Sequence, residues 1–279
     1  MRPAEGRTRW AASTTIAAHR GGAGLWPENS LTAFGKAIGL GVDYIETDVH
    51  LCRDGELVII HDPLLDRTTT DSGPVAAHRW EELKSVVLTG TEAETVPHLR
   101  DVTDLLEPSR VDLRLEIKVG HDQRRYAGIE DRVADLLMSA GMLERTVITS
   151  FQWDILTDFQ SLAEPKGFIG LIKRDRCNQM GGVEQAMRRL ADLKLEKQYG
   201  ILGAFGHGET STAALPAPAK AGRMAVGLAT DSLEEARGAT ESDLEFERRA
   251  AGATVGTFRD DAESLALPTD ESDSSVGPL

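Results

Sequence analysis

The sequence predicts an α/β fold, specifically a (β/α)8 TIM barrel with a hairpin and a small insertion after the second strand. Three observations lead there. Short runs of strand length alternate with helix-like segments almost throughout the chain, the pattern of parallel strands joined by helical crossovers. No glycine-rich dinucleotide fingerprint follows any of those strands, which disfavours an open doubly wound sheet. The chain has 279 residues, 41% of them hydrophobic, enough for one barrel-sized core.

The eight strands are expected at Thr14–His19, Tyr44–His50, Leu113–Lys118, Thr146–Phe151, Phe168–Lys173, Tyr199–Phe205, Met224–Thr230 and Thr254–Phe258. Helical segments fall between them at Ser30–Ile38, Asp122–Ser139, Asp154–Ala163, Val183–Lys197 and Ser232–Ala239. The last opens Ser232-Leu-Glu-Glu235, a capping box in which the serine and glutamate satisfy each other's backbone donors. Two regions break the alternation. Residues 51–111 hold the hairpin and a loop-rich stretch that ends in a short helix at Leu99–Leu106, and residues 206–222 are rich in Gly, Ala and Pro, where Pro216 and Pro218 disfavour a regular helix;. The expected organisation is an N-terminal extension over 1–13, one barrel over 14–266, and a disordered acidic tail over 267–279;.

The formal net charge is −14, with no dense basic stripe. Nucleic acid is therefore not an expected partner, because backbone binding needs clustered cations. Any anionic substrate would require locally created positive potential, from a metal ion and one or two placed cations. No run of about 18 apolar residues suggests a membrane span, and Arg2, Arg7 and Arg9 stand at an N-terminus without a signal-like apolar run;. The expectation is a cytoplasmic protein without stable membrane insertion, acting on a small molecule, its oligomeric state open. Cys52 and Cys177 read as structural thiols;.

The chemistry concentrates in three segments. In Glu46-Thr-Asp48, alternation puts both carboxylates on one face;. Asp54-Gly55 is a two-residue turn signal, and a two-residue turn there would set Asp48 opposite His61, so that Glu46, Asp48 and His61 converge. In Leu113-Arg-Leu-Glu116-Ile-Lys118, Arg114, Glu116 and Lys118 share a face that would be expensive inside a barrel without partners;. In Ala17-Ala-His19-Arg20-Gly21-Gly22, the first strand ends in a histidine, a cation and a glycine turn.

Three carboxylates, Glu46, Asp48 and Glu116, supply hard oxygen ligands for one Mg²⁺ or Ca²⁺. His19 and His61 can take a proton from a nucleophile and give one to a leaving oxygen. Arg20 and Lys118 can hold phosphate oxygens, the arginine in bidentate fashion. Lys118 and Glu116 could instead form a plain ion pair. Asn29 reads as structural, fixing the turn into the helix near Ser30, and Trp26 as either a wall of the site mouth or core. His207 reads as a loop residue with a chance of substrate contact. His50, His78, His98 and His121 read as surface or packing residues, and Asp231, Asp260 and Asp261 as solvated.

These residues resemble the glycerophosphodiester phosphodiesterase family. The match runs through His19-Arg-Gly21, Pro27-Glu-Asn29-Ser30, Gly41-Val-Asp-Tyr-Ile-Glu46-Thr-Asp48, Asp54-Gly55, His61-Asp62, Asp66-Arg-Thr-Thr69, Gly73, Val96-Pro-His-Leu99, Glu116-Ile-Lys118 and Ser150-Phe151. The resemblance implies a TIM barrel that hydrolyses a glycerophosphodiester to glycerol 3-phosphate and an alcohol. It assigns His19 and His61 to acid/base catalysis, Glu46, Asp48 and Glu116 to the metal, and Arg20 and Lys118 to phosphate. In the last third, Gly227-Leu-Ala-Thr230-Asp231 stands where the family has Trp-Thr-Val-Asn, and Phe258 follows Thr257 where it has Asp. The expectation there is a larger or different alcohol portion. Three alternatives stay open: a phospholipase-like lyase that stops at a cyclic phosphate, a specialised-metabolism phosphodiesterase, and a non-catalytic barrel binding a phosphorylated ligand.

Overall fold

The computed structural model describes residues 16–195, 198–204, 225–230 and 254–259. The extension over 1–13, the tail over 267–279, the helix expected at 232–239, and His207, Asp231, Asp260 and Asp261 lie outside the described residues. In chain order the elements are β1 (Ile16–Ala18), α1 (Leu31–Leu40), β2 (Tyr44–Leu51), β3 (Leu57–Ile59), α2 (Trp80–Leu83), α3 (Leu99–Leu106), β4 (Asp112–Ile117) and α4 (Ile129–Ser139). They continue with β5 (Thr146–Ser150), α5 (Trp153–Leu162), β6 (Gly167–Lys173), α6 (Arg174–Gln179), α7 (Val183–Asp192), β7 (Gln198–Ala204), β8 (Ala225–Thr230) and β9 (Thr254–Arg259).

Every strand except β3 pairs in parallel, in the order β7-β6-β5-β4-β2-β1-β9-β8, and the two ends of that path, β7 and β8, come together. The sheet therefore curls into the eight-stranded barrel the alternation predicts, with β3 folded back antiparallel on β2. Along β2 and β4 the period of two separates the faces. Ile45, Val49, Leu113, Leu115 and Ile117 turn outward into a core shared with Phe34 of α1, Val102 of α3 and Val133 of α4. Each such buried aliphatic stabilises the fold by roughly 1.5–3 kcal/mol. The opposite face carries Glu46 level with Arg114 and Asp48 level with Glu116.

Local signals set the helix ends. Ser30 caps α1, its Oγ accepting from the Ala33 N–H at 3.0 Å, and Gly41 ends it in the left-handed region at φ 76°;. The helix expected from Asp122 begins only at Ile129. Gln123 at φ 62° and Gly128 at φ 74° break the preceding turn. The helix expected to Lys197 ends at Asp192, before Lys194 at φ 53°. Leu99–Leu106 is helical as expected, whereas the short helices α2 and α6 have no counterpart in the sequence reading.

The hairpin corrects one inference. Val49 pairs with Ile59, His50 with Val58 and Leu51 with Leu57, so Asp48 lies across from Ile60, whose N–H donates to the Asp48 carbonyl at 3.3 Å. His61 is not its partner. The turn has three residues, Arg53-Asp54-Gly55, closed by Cys52 N–H to Glu56 O at 3.0 Å. Gly55 takes φ 88°, and Asp54 is not among the positive-φ residues that a type I′ turn would require;. Leu57-Val-Ile-Ile60 is apolar on both faces, so hydrophobic alternation could not choose the register and the turn chose it;.

Candidate active site

The residues singled out from the sequence meet at the carboxyl ends of β1, β2 and β4, where barrel sites are built. Glu46, Asp48 and Glu116 are all buried, and each offers a carboxylate oxygen within 4.8 Å of the others. Lys118, one residue past β4, places Nζ 2.9 Å from Asp48 Oδ1 and 2.8 Å from Glu116 Oε1. The ion pair weighed as an alternative for Lys118 is thus present.

Electrostatics follow from this crowding. Burial would raise the Asp48 carboxyl, but Lys118, His61 and Arg20 outweigh it and hold it below the usual carboxylate range;. Glu116 goes the other way: burial pushes it up, and the neighbouring Asp48 and Glu46 add to the rise against the opposing Lys118. Burial disfavours the Lys118 ammonium, yet Asp48 and Glu116 raise its pKa above the ordinary lysine value. Three oxygen donors with one carboxyl held up by burial and by like charge fit a hard divalent cation, which would supply positive charge there;. Among the described residues this is the one group of carboxylates, histidines and cysteines with such a spacing.

His19 and Arg20 sit in a 3₁₀ turn directly after β1. His19 Nε2 is 3.9 Å from Glu46 Oε2, and the Arg20 backbone N–H donates to the same oxygen at 3.0 Å. Arg20 holds φ 49°, in the left-handed region. Its guanidinium reaches both Glu28 oxygens at 3.3 Å and stands 3.9 Å from Asp48 Oδ2. His61 enters from beyond the end of β3. Its Nδ1 bonds Asp62 Oδ1 at 2.6 Å, and it is close enough to lower Asp48 and Glu28 electrostatically.

Several contributors were missed or undervalued in the sequence. Asn29, read as structural, also touches the cluster: its Nδ2 donates to Asp48 Oδ2 at 3.1 Å while its Oδ1 accepts from Thr47 Oγ1 at 2.8 Å. Glu28, Asp62 and Arg67 join the His19–Arg20 loop to the His61 loop through ion pairs. His50, read as a surface or packing residue, is buried on the carboxylate face, with Nδ1 on the Tyr126 hydroxyl at 2.8 Å and Nε2 on the His61 carbonyl at 3.1 Å. Burial pushes its pKa down to about 4. Its place on the Glu46-Asp48-His50 alternation was the signal available. His98 caps α3, and His78 bonds the Pro74 carbonyl at 2.9 Å, both structural roles. Trp26 packs on the main core with Lys36 over its ring at 5.4 Å. Cys52 and Cys177 are buried free thiols, and no helix among the described residues is long and apolar enough to cross a membrane.

Comparison with known proteins places this arrangement. The glycerophosphodiester phosphodiesterase of Bacillus altitudinis is 37% identical over 154 residues, 53% of this chain and 62% of the relative. That of Caldanaerobacter subterraneus is 37% identical over 164 residues, 57% of this chain and 66% of the relative. The chain thus spans just under two thirds of the length of these curated relatives. Among solved structures, glycerophosphodiester phosphodiesterase from Agrobacterium tumefaciens superposes with a TM-score of 0.62 at 25% identity, covering 91% of this chain and 100% of that one. The Thermotoga maritima enzyme does so with a TM-score of 0.62 at 20% identity, covering 92% and 98%. The profile of the Glycerophosphoryl diester phosphodiesterase family matches residues 19–202, from His19 to a point ahead of the divergent Gly227–Asp231 segment. That match takes in every candidate site residue, and the chain belongs to the glycerophosphoryl diester phosphodiesterase family.

Proposed function

We propose that this protein hydrolyses a glycerophosphodiester to a phosphomonoester, glycerol 3-phosphate in the simplest case, and an alcohol, using His19 and His61 as the acid/base pair. The supporting observation is the geometry around Glu46: one of its oxygens is shared by the Arg20 backbone and faces His19, beside the Asp48–Glu116 pair. A divalent cation, Mg²⁺ or Ca²⁺, held by Glu46, Asp48 and Glu116 would draw negative charge off the phosphoryl oxygens.

The chain's own residues do the rest. Arg20 and Lys118 present cations toward the non-bridging oxygens. Glu28 holds the Arg20 guanidinium, and Asp48 and Glu116 hold the Lys118 ammonium. Asp62 accepts from the His61 Nδ1, which leaves Nε2 to exchange a proton with substrate;. One histidine removes the proton of the attacking oxygen as its bond to phosphorus forms. The other protonates the alkoxide as the opposite P–O bond breaks, so the pair ends with protons exchanged and is reset by water. If the attacking oxygen is a substrate hydroxyl, a cyclic phosphate forms first and water opens it by the same pair working in reverse.

Product identification by ³¹P NMR tests this reading. A panel of glycerophosphodiesters is incubated with the protein and Mg²⁺, Ca²⁺ or Mn²⁺, beside His19→Ala and His61→Ala. Monoester formation that drops about 10²–10⁴-fold in both variants is expected. Accumulation of a cyclic phosphate would favour the lyase. Intact diesters under all three metals would favour a ligand-binding barrel, and two active variants would refute the histidine assignment.

A further inference from the structure

Four charged side chains outside the carboxylate cluster form one continuous ion-paired path between the two histidine loops. His61 Nδ1 bonds Asp62 Oδ1 at 2.6 Å, and Asp62 Oδ2 accepts from Arg67 Nε at 2.6 Å. The two terminal nitrogens of Arg67 then donate to the two Glu28 oxygens, at 2.9 and 2.7 Å. Glu28 also receives Arg20, which is bonded through its backbone N–H to Glu46 and follows His19 in the chain. All four nitrogen–oxygen contacts of this path that involve Arg67 or His61 are at hydrogen-bonding distance, and Arg67 commits its whole fork to two carboxylates from different loops.

We propose that Arg67 is a positioning residue, anchored on Glu28, that locks the Asp62–His61 loop to the His19–Arg20 loop and so sets the relative placement of the two acid/base histidines. The proposal rests on the reading of His19 and His61 given above. A planar guanidinium can bridge two carboxylates in fixed directions, which the ammonium of a lysine cannot. The Arg67 side chain is 46% exposed, and ion pairs that open to water contribute little to stability. The network's consequence is therefore angular: it holds Asp62, Asp62 orients the His61 ring, and the same arginine steadies Glu28 beneath Arg20. Such supporting contacts around a site characteristically carry about 10–100-fold in activity.

The test uses the full chain with saturating divalent metal and Arg67→Met, Arg67→Lys, Glu28→Gln and the Arg67→Met/Glu28→Gln double variant. In each single variant kcat is expected to fall about 10–100-fold, with the melting temperature within about 3 °C of the parent and, in the Arg67 variants, KM within about twofold. The double variant should be no slower than the slower single variant, because both break one path. Histidine ¹⁵N shifts should show His61 as a single Nδ1–H tautomer in the parent and as a mixture in Arg67→Met. Unchanged kcat, full rescue by Arg67→Lys, or losses that multiply would overturn the proposal. So would a raised KM at constant kcat, which would make Arg67 a substrate contact. Should the parent turn over no diester at all, the proposed function fails, and the His61 tautomer comparison still decides whether Arg67 holds the ring.

Discussion

Replacing Gly21 by alanine perturbs the turn that presents His19 and Arg20, and the structure supplies the magnitude. Gly21 adopts φ 81°, and a Cβ there would lie 2.6 Å from Phe34 Cδ1 and 3.0 Å from both Phe34 Cε1 and Ala33 Cβ. Phe34 is fully buried and cannot swing into solvent. An L-residue in the left-handed region costs about 1–2 kcal/mol, and forcing a methyl into a packed core costs about 1–3 kcal/mol. The sum is about 2–5 kcal/mol, a fall in melting temperature of roughly 5–15 °C. Urea unfolding with an unchanged m-value measures it. A double-mutant cycle with Phe34→Leu separates the two parts, because the smaller side chain relieves the contact and leaves the backbone strain; a coupling of at least about 1 kcal/mol is expected. Below the melting transition kcat should still fall tenfold or more, since the strained turn carries His19 and Arg20. A loss of stability under about 1 kcal/mol, strict additivity with Phe34→Leu, or full kcat would each refute the reasoning.

Three further outcomes are expected. His50 is neutral in the fold, its pKa lowered by burial to about 4 from the ordinary histidine value of 6.5. Its contribution is therefore complete above about pH 6.5 and shrinks as pH falls toward 4, by about 2 kcal/mol at pH 5. Denaturant melts in chelator should show that loss in the parent and not in His50→Leu; equal slopes would remove His50 as the cause. Lys118→Met leaves Asp48 and Glu116 buried without their ammonium and should destabilise by about 3–5 kcal/mol in chelator, with part recovered on adding Ca²⁺ or Mg²⁺. A change under about 1 kcal/mol, or no recovery, would contradict the charge balance described. Glu116→Gln should lose heat of Ca²⁺ and Mg²⁺ binding in calorimetry by at least tenfold in affinity, and parent-like binding would remove Glu116 as a ligand.

Residues 17–151 disclosed more than the rest because their chemistry is local. The period of two along Tyr44–Leu51 and Asp112–Ile117 already separates Glu46, Asp48, Arg114 and Glu116 from the Ile45, Val49, Leu113 and Leu115 face, and the parallel register sets them level. The hairpin shows the limit. Its apolar Leu57–Ile60 run permits either register, and a turn with Gly55 alone at positive φ decided between them;. His61 still reaches the cluster, by a route that alternation does not describe.

The sequence by itself determined the barrel, the strand faces and the identity of the charged residues that meet at one end, because strand period, turn chemistry and the cost of buried charge are all properties of short segments. Only the tertiary structure decided which of those charges touch. It turned Lys118 onto Asp48 and Glu116, brought Asn29 to Asp48, buried His50, and closed the path from His61 through Asp62, Arg67 and Glu28 to Arg20. Glu28 and Arg67 are 39 positions apart. Their contact follows from how two loops pack against the same barrel rim, and no periodicity within either loop encodes it.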